Sequence, residues 1–222
     1  MSTVLVIGAS RGIGFELVTQ YLEAGDRVIA TARSDEGLAR LQALGAEALR
    51  VDVADSTSVS GLSWQLDGEK LDVALYVAGV IHRAGATSPP TQHAFDEVMH
   101  TNVLGAMQAM PQVLPWVEEA GGVFGVLSSA MSQIGSVPAS NAWLYRVSKA
   151  ALNMAIASAR FDYPKARLVA LDPGWVQTDM GGGSATFTVE ASAGGLRRVL
   201  ASVTPEDNGR LIHHDGRRAE HW

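Results

Sequence analysis

Val4-Leu5-Val6-Ile7-Gly8-Ala9-Ser10-Arg11-Gly12-Ile13-Gly14 is the stretch whose reading decides the fold. Val4 to Ile7 is a short unbroken apolar run, which suits a strand buried on both faces of a parallel sheet. After the glycines, Phe15 to Ala24 carries Phe15, Leu17, Val18, Tyr21 and Leu22 at helical spacing, and Gly25 stops it. Arg27 to Thr31 then reads as a second strand. Strand, glycine turn, helix and strand form a βαβ unit, in which glycines let the backbone turn tightly and approach a pyrophosphate at the helix N-terminus. Gly8, Ser10, Arg11, Gly12, Ile13 and Gly14 are therefore the expected phosphate-contacting segment. A glycine triplet alone is a weak signal, and a tight turn without a ligand stays open at this point.

The second strand ends on Thr31-Ala32-Arg33. An NAD site usually has a carboxylate here, roughly 20 residues past the glycine loop, to hold ribose hydroxyls; an arginine accommodates a 2′-phosphate instead. Arg33, helped by Arg11 inside the glycine loop, points to NADP, the alternative for each being a solvated surface side chain.

Working outward, Ser34 to Leu44 reads as helix, Glu47 to Val51 as strand, Ser56 to Leu66 as helix and Val73 to Val77 as strand. Ala94 to Glu119 reads as a long helical region interrupted by Pro111 and Pro115, and Val123 to Leu127 as strand. Leu144 to Phe161 completes the helices of this part, and Arg167 to Leu171 the strands. Alternation of this kind predicts one parallel sheet with helices on both faces and ligands at the carboxyl ends of the strands. Asp52, Ala78, Gly79, Ser128, Ser129 and Pro173 all fall at such ends.

The chain has 222 residues, 47% hydrophobic and 18% charged, and is expected to form a single domain over 1–222. A net charge of −6 with Lys and Arg thinly spread argues against a nucleic-acid partner. There is no cysteine, so disulfides, thiol nucleophiles and cysteine-bound metals are excluded. The first strand leaves no room for a signal peptide and no apolar run approaches the ~18 residues of a membrane span, so the expected address is the cytoplasm, with no membrane partner.

Tyr145-Arg146-Val147-Ser148-Lys149 places a phenol and an ammonium four residues apart, on one face of a helix. A tyrosine with its ordinary pKa of about 10 is a poor acid-base group at neutral pH, and a nearby cation is expected to bring that value down. Taken alone, the spacing is common on helix surfaces.

In combination, the sequence resembles the short-chain dehydrogenases/reductases over essentially its whole length. The resemblance rests on Gly8-x-x-x-Gly12-x-Gly14, Asp52-Val53, Ala78-Gly79, Asn102, the strand-end serines, Tyr145-x-x-x-Lys149 and Pro173-Gly174. The stretches SSAMSQIGS, YRVSKAALN and PGWVQTDMGG, with Trp222, look like the C-factor and sniffer-like carbonyl reductase branch. That resemblance implies a Rossmann fold with about seven strands. It also implies Tyr145 as general acid and Lys149 bound to the nicotinamide ribose, with Asn102 holding a relay water and Ser129 polarising the substrate carbonyl. Asp52, Val53, Ala78, Gly79, Pro173, Gly174, Val176 and Thr178 are implied cofactor contacts. Many family members have thirteen residues from serine to tyrosine, which would select Ser132; the strand end selects Ser129, and Ser132 is kept as the alternative. Tyr76-Val77 stands where the family carries two asparagines whose amides brace the sheet. Gly181-Gly182-Gly183 stands where many relatives carry a longer substrate lid.

Other groups read as ordinary structure. His93, Asp96, Glu97 and His100 could share a helix face but read as an exposed polar surface, so no metal site is expected. His213, His214 and His221 read as surface or interface residues, and Met99, Met107, Met110 and Met154 as core filling. Trp143 and Trp175 flank the catalytic segments and are equally compatible with a pocket wall and with packing. The function expected is NADPH-dependent reduction of a ketone or aldehyde, with a small-molecule carbonyl or alcohol as substrate. The alternative is a cofactor-binding sensor or signalling protein of the C-factor type with little turnover. The family pairs the helices holding Asn102 and Tyr145 across a two-fold axis, so a homodimer or homotetramer is expected.

Overall fold

A computed structural model describes residues 1–220 and 222; His221, expected at the surface or an interface, lies outside the described residues. The elements in chain order are β1 (Thr3–Ile7), α1 (Gly12–Glu23), β2 (Arg27–Ala32), α2 (Asp35–Leu44), β3 (Glu47–Arg50), α3 (Ser56–Ser60), α4 (Leu62–Gln65) and β4 (Val73–Tyr76). Then come α5 (Gln92–Met99), a π-helical turn (His100–Leu104), α6 (Gly105–Ala120), β5 (Val123–Leu127), α7 (Trp143–Ala159), β6 (Arg167–Asp172), α8 (Val189–Ser202) and β7 (Leu211–His213).

The strands form one sheet in the order β3-β2-β1-β4-β5-β6-β7, and every pairing is parallel. β1 lies at the centre, with Val4 opposite Val28 on one side and Val73 on the other. Its side chains alternate between two cores. Leu5 and Ile7 pack with Leu62 of α4, Leu114 of α6 and Leu152 of α7, and Val4 and Val6 pack with Leu17 of α1, Leu41 of α2 and Leu196 of α8. All four β1 residues are fully buried, each worth about 1.5–3 kcal/mol of hydrophobic stabilisation, so an unbroken apolar run is what this position demands. The reversal of strand order between β1 and β4 makes this a Rossmann-type doubly wound sheet, with a crevice at the carboxyl ends of those strands.

Three local readings are corrected. The expected interruption at Pro111 and Pro115 is absent: α6 runs through both. Both prolines face solvent, so the carbonyls they deprive of an N–H partner reach water. The real break falls at the π-helical turn, which carries Asn102. The expected helix from Ser56 to Leu66 is two short helices, because Gly61 ends the first. The methionines divide: Met110 is core, whereas Met107 and Met154 are exposed.

Candidate active site

The glycine loop is shaped by contacts that leave no room for side chains. Gly8 has φ 88° and a Cβ there would lie 2.6 Å from the Ala78 nitrogen; a Cβ at Gly14 would lie 2.5 Å from the Gly8 carbonyl oxygen. The loop therefore packs directly on the turn after β4. The helix that follows is unusual in its start. α2 is capped by Ser34, which accepts from the Gly37 N–H at 3.2 Å, and carries Asp35 and Glu36 in its first turn. α1 has no side-chain cap and no acid in its first turn. Its free N–H groups and positive end are left to a ligand, the arrangement that holds a phosphate.

At the ends of β4 and β5 the second half of the site assembles around α7. Asn102 is fully buried; its Oδ1 accepts from the Val80 N–H at 2.8 Å, and its Nδ2 donates to the Val80 carbonyl and to Ser148 Oγ, both at 2.9 Å. The turn at Ala78-Gly79-Val80 is thus fixed to both the π-helical turn and α7. Tyr76 supplies a further brace in place of the missing amides: its buried hydroxyl donates to the Thr101 carbonyl at 2.6 Å. α7 itself starts from Ala142, the only described non-glycine residue with positive φ (52°). That backbone costs on the order of 1 kcal/mol or more, and it is held by bonds from the Ala142 and Trp143 N–H groups to the carbonyls of Arg83 and Ala84.

Tyr145 and Lys149 share a helix face, as their spacing predicts. The Tyr145 phenol shares a hydrogen bond with the Ser129 side chain. Ser129 Oγ also accepts from the Met131 N–H at 3.1 Å. Ser132 is occupied elsewhere: its hydroxyl donates to the Ser129 carbonyl at 2.6 Å and accepts from Asn153 Nδ2 at 2.8 Å, while Asn153 Oδ1 accepts from Ser128 at 2.6 Å. Of these serines, Ser129 is the one whose side chain is paired with the phenol.

The expected direction of the tyrosine pKa is corrected. Burial, opposed by the Ser129 bond and reinforced by the charge of Asp172, pushes the Tyr145 phenol up to about 12. Lys149 Nζ lies 5.5 Å from the centre of the Tyr145 ring, within reach of its face. Its nearest polar atom, however, is the Leu127 carbonyl oxygen at 2.6 Å. Burial lowers its own pKa to about 7, so the cation that was to tune the phenol is itself only partly charged at neutral pH.

The third wall is the turn after β6. Asp172, 5% exposed, accepts from the Ala130 N–H at 2.9 Å and the Gly174 N–H at 3.3 Å, and its other oxygen lies 2.7 Å from His213 Nδ1. Burial would raise this carboxyl, but the His213 bond and the two backbone donors outweigh it and hold the group below its ordinary range. His213 and His214 are both part-buried: His213 is held by Asp172, and the His214 ring meets Phe187 edge-on at 4.4 Å beside Gly174. From this turn the chain runs over the glycine loop. A Cβ at Gly12 would lie 3.4 Å from Thr178 Cγ2, Arg11 pairs with Asp179 at 3.1 Å, and Arg83 donates to the Met180 carbonyl at 2.5 Å. Trp175, 54% exposed, donates from Nε1 to the Gly181 carbonyl at 2.9 Å.

At the end of β2, Arg33 is exposed and its carbonyl accepts from Arg50, which also pairs with Asp35. Asp52, at the end of β3, accepts from the Ala54 N–H at 3.0 Å, and Val53 is buried with its carbonyl against Gly105. His93, Glu97 and His100 are exposed on α5 and the following turn.

Residues 2–187 match the family described as short chain dehydrogenase. The chain belongs to that family. Within it, the chain is 34% identical over 227 residues to 1-hydroxy-2-glutathionyl-2-methyl-3-butene dehydrogenase of Rhodococcus sp. strain AD45, covering 97% of this chain and 98% of that protein. It is 38% identical over 120 residues to the C-signal of Myxococcus xanthus, covering 52% of this chain and 71% of that protein. Among solved structures, the carbonyl reductase Sniffer of D. melanogaster superposes with a TM-score of 0.92 at 27% identity over the full length of both chains. A short-chain dehydrogenase/reductase from Burkholderia multivorans with bound NADP gives 0.89 at 26% identity, over 100% of this chain and 99% of the other. The short-chain dehydrogenase resemblance read from the glycine loop and the Tyr-x-x-x-Lys pair is thus shown, as is its C-factor and sniffer-like character.

Sequence reading missed Asp172 and His213 as one unit, because they lie 41 residues apart and meet only through β6–β7 pairing. The signal available was a carboxylate at a strand end, Asp172 directly before Pro173-Gly174. Arg50 was missed for a similar reason, since β2–β3 pairing is what brings it beside Arg33.

Proposed function

We propose that this protein is an NADPH-dependent carbonyl reductase that works as one domain in the cytoplasm. Among the described residues no helix is long and apolar enough to cross a membrane. The observation that carries the reading is the Tyr145–Ser129 hydrogen bond at the carboxyl end of β5, with Lys149 on the same helix face.

The residues present fit a dinucleotide: an uncapped helix start behind a loop in which Gly8 and Gly14 leave no room for a side chain. The backbone of Gly8, Ser10, Arg11, Gly12, Ile13 and Gly14 would hold the pyrophosphate, and Arg33 with Arg11 the 2′-phosphate. Asp52, Val53, Ala78 and Gly79 would flank the adenosine, Lys149 the ribose, and Pro173, Gly174, Val176 and Thr178 the nicotinamide amide. When bound, NADPH supplies the hydride. The chain supplies the rest. Ser129 donates to the carbonyl oxygen of a ketone or aldehyde and Tyr145 delivers a proton to that oxygen as negative charge develops there. A phenol held at about 12 carries its proton throughout the physiological range, as an acid must. Asn102 fixes the Ala78–Val80 turn and is proposed to hold a relay water.

NADPH oxidation against a panel of ketones and aldehydes tests the reading. Turnover is expected, and Tyr145→Phe should cut it by about 10²–10⁴-fold while leaving NADPH affinity nearly intact. Full turnover in Tyr145→Phe would remove the reading. The likeness to the C-signal favours a second one, a cofactor-binding signal protein; NADPH binding without turnover on any carbonyl would select it.

A further inference from the structure

Asp172 is a buried carboxylate beside the site to which the proposed reaction gives no task. We propose that Asp172, held by His213, is a positioning residue: it fixes the strand end that carries Ser129 and sets a negative charge behind the Tyr145 phenol. The inference rests on the carbonyl reductase reading of the same site.

The geometry is that of a three-way clamp. The last backbone rung between β5 and β6 is the bond from the Ser128 N–H to the Leu171 carbonyl, 2.7 Å. One step further on, the strands part, and the Asp172 side chain takes over by accepting from the Ala130 N–H at 2.9 Å. The same oxygen accepts from the Gly174 N–H at 3.3 Å, and the other oxygen meets His213 Nδ1 at 2.7 Å. β7 is tied in from behind, because the His214 N–H donates to the Asp172 carbonyl at 2.8 Å. One carboxylate therefore joins the residue after Ser129, the turn of Pro173-Gly174 and the last strand. Burying a carboxylate is costly unless its oxygens are satisfied, and here every donor comes from an element that lines the site.

A neutral side chain could make a clamp; a charged one does something more. The charged and titratable groups around the phenol come from separate elements: Lys149 Nζ on α7 lies 5.5 Å from the Tyr145 ring centre, Asp172 at the end of β6 is one hydrogen bond from the Ala130 N–H that follows Ser129, and His213 on β7 lies behind Asp172. Lys149 and Asp172 pull in opposite directions. A cation favours phenolate, whereas the carboxylate favours the protonated phenol and so keeps the acid loaded.

Asp172→Asn keeps the shape and an acceptor for Ala130 but removes the charge. In the full-length protein carrying 3-fluorotyrosine, with Tyr145→Phe used to assign the signal, the fluorine NMR titration of Tyr145 is expected to move about one pH unit lower in Asp172→Asn. The kcat of carbonyl reduction should fall about ten-fold with the KM for NADPH little changed, and its alkaline limb should shift to lower pH. His213→Leu leaves the carboxylate charged with one donor fewer. It should lower kcat without any downward move of the Tyr145 titration. An unmoved titration in Asp172→Asn, or a downward shift in His213→Leu, would overturn the proposal. Absence of carbonyl turnover in the unmutated protein would instead remove the reductase reading, and the titration would still decide whether Asp172 acts on the phenol.

Discussion

Lys149 Nζ donates to the Leu127 carbonyl oxygen across 2.6 Å, so the ammonium is tied to the end of β5. One hydrogen bond does not repay the loss of water around a buried charge, and burial lowers its pKa from 10.5 to about 7. Because the folded-state value is the lower one, the unfolded chain binds the extra proton between about pH 7 and 10.5. Stability from this group is then lowest below pH 7 and rises with pH through that window, by about 1.4 kcal/mol per pH unit at most. Urea midpoints measured at pH 6.5, 8 and 9.5 should rise in the unmutated protein and flatten in Lys149→Met. Parallel pH profiles for the two would sink the assignment. In turnover assays Lys149→Met should lose both kcat and NADPH affinity.

Ser129→Ala should lower kcat by about 10²-fold or more, by removing a donor to the carbonyl oxygen. Ser132→Ala should barely alter kcat and instead lower stability by about 1–3 kcal/mol, because the buried Asn153 amide loses its acceptor. Steady-state kinetics and denaturation on both variants separate the two effects; the reverse ranking would mean that Ser132 is the catalytic serine.

NADPH is expected to bind more tightly than NADH. Arg33→Asp should shrink or reverse the difference by removing a charge-assisted contact worth about 1.5–3 kcal/mol. Arg11 is shared with Asp179, so Asp179→Asn should free it and tighten NADPH alone. Equal affinity of the unmutated protein for both cofactors, measured by fluorescence titration, would refute the preference.

The outer faces of α6 and α7 expose Met107 and Met154, with Leu104 and Val147 beside them. A second copy covering that face would give the expected dimer. Light scattering at micromolar concentration should show it, and Met154→Glu together with Met107→Glu should convert it to monomer. A monomeric mass for the unmutated protein would end the proposal.

The parts of the fold legible in the sequence are those set by local rules. The unbroken apolar run at Val4 to Ile7, followed at once by glycines, suits a central strand, and Gly8 and Gly14 stand where a side chain would strike backbone. What escaped reading depends on distance along the chain. Pro111 and Pro115 read as breaks from composition alone, because composition does not tell which helix face meets water. The tie between His213 and Asp172 is invisible in the sequence because β7, only three residues long, gives no periodicity of its own. The direction of the tyrosine pKa is hidden for a related reason: spacing places Lys149 beside Tyr145, but only packing shows that both are dry.

The loop contacts around Gly8 and Gly12 also set an order of events during synthesis. The glycine loop rests on Ala78, but its other neighbour, Thr178, lies 100 residues further on. At about 5–20 residues per second, the ribosome finishes β1, β2 and β4 roughly 5–20 s before the covering segment emerges. For that interval the loop lacks its cover, and because a domain folds as a unit and α1 packs on Leu196 of α8, the complete cofactor cradle is expected to form only after the C-terminal helix has emerged.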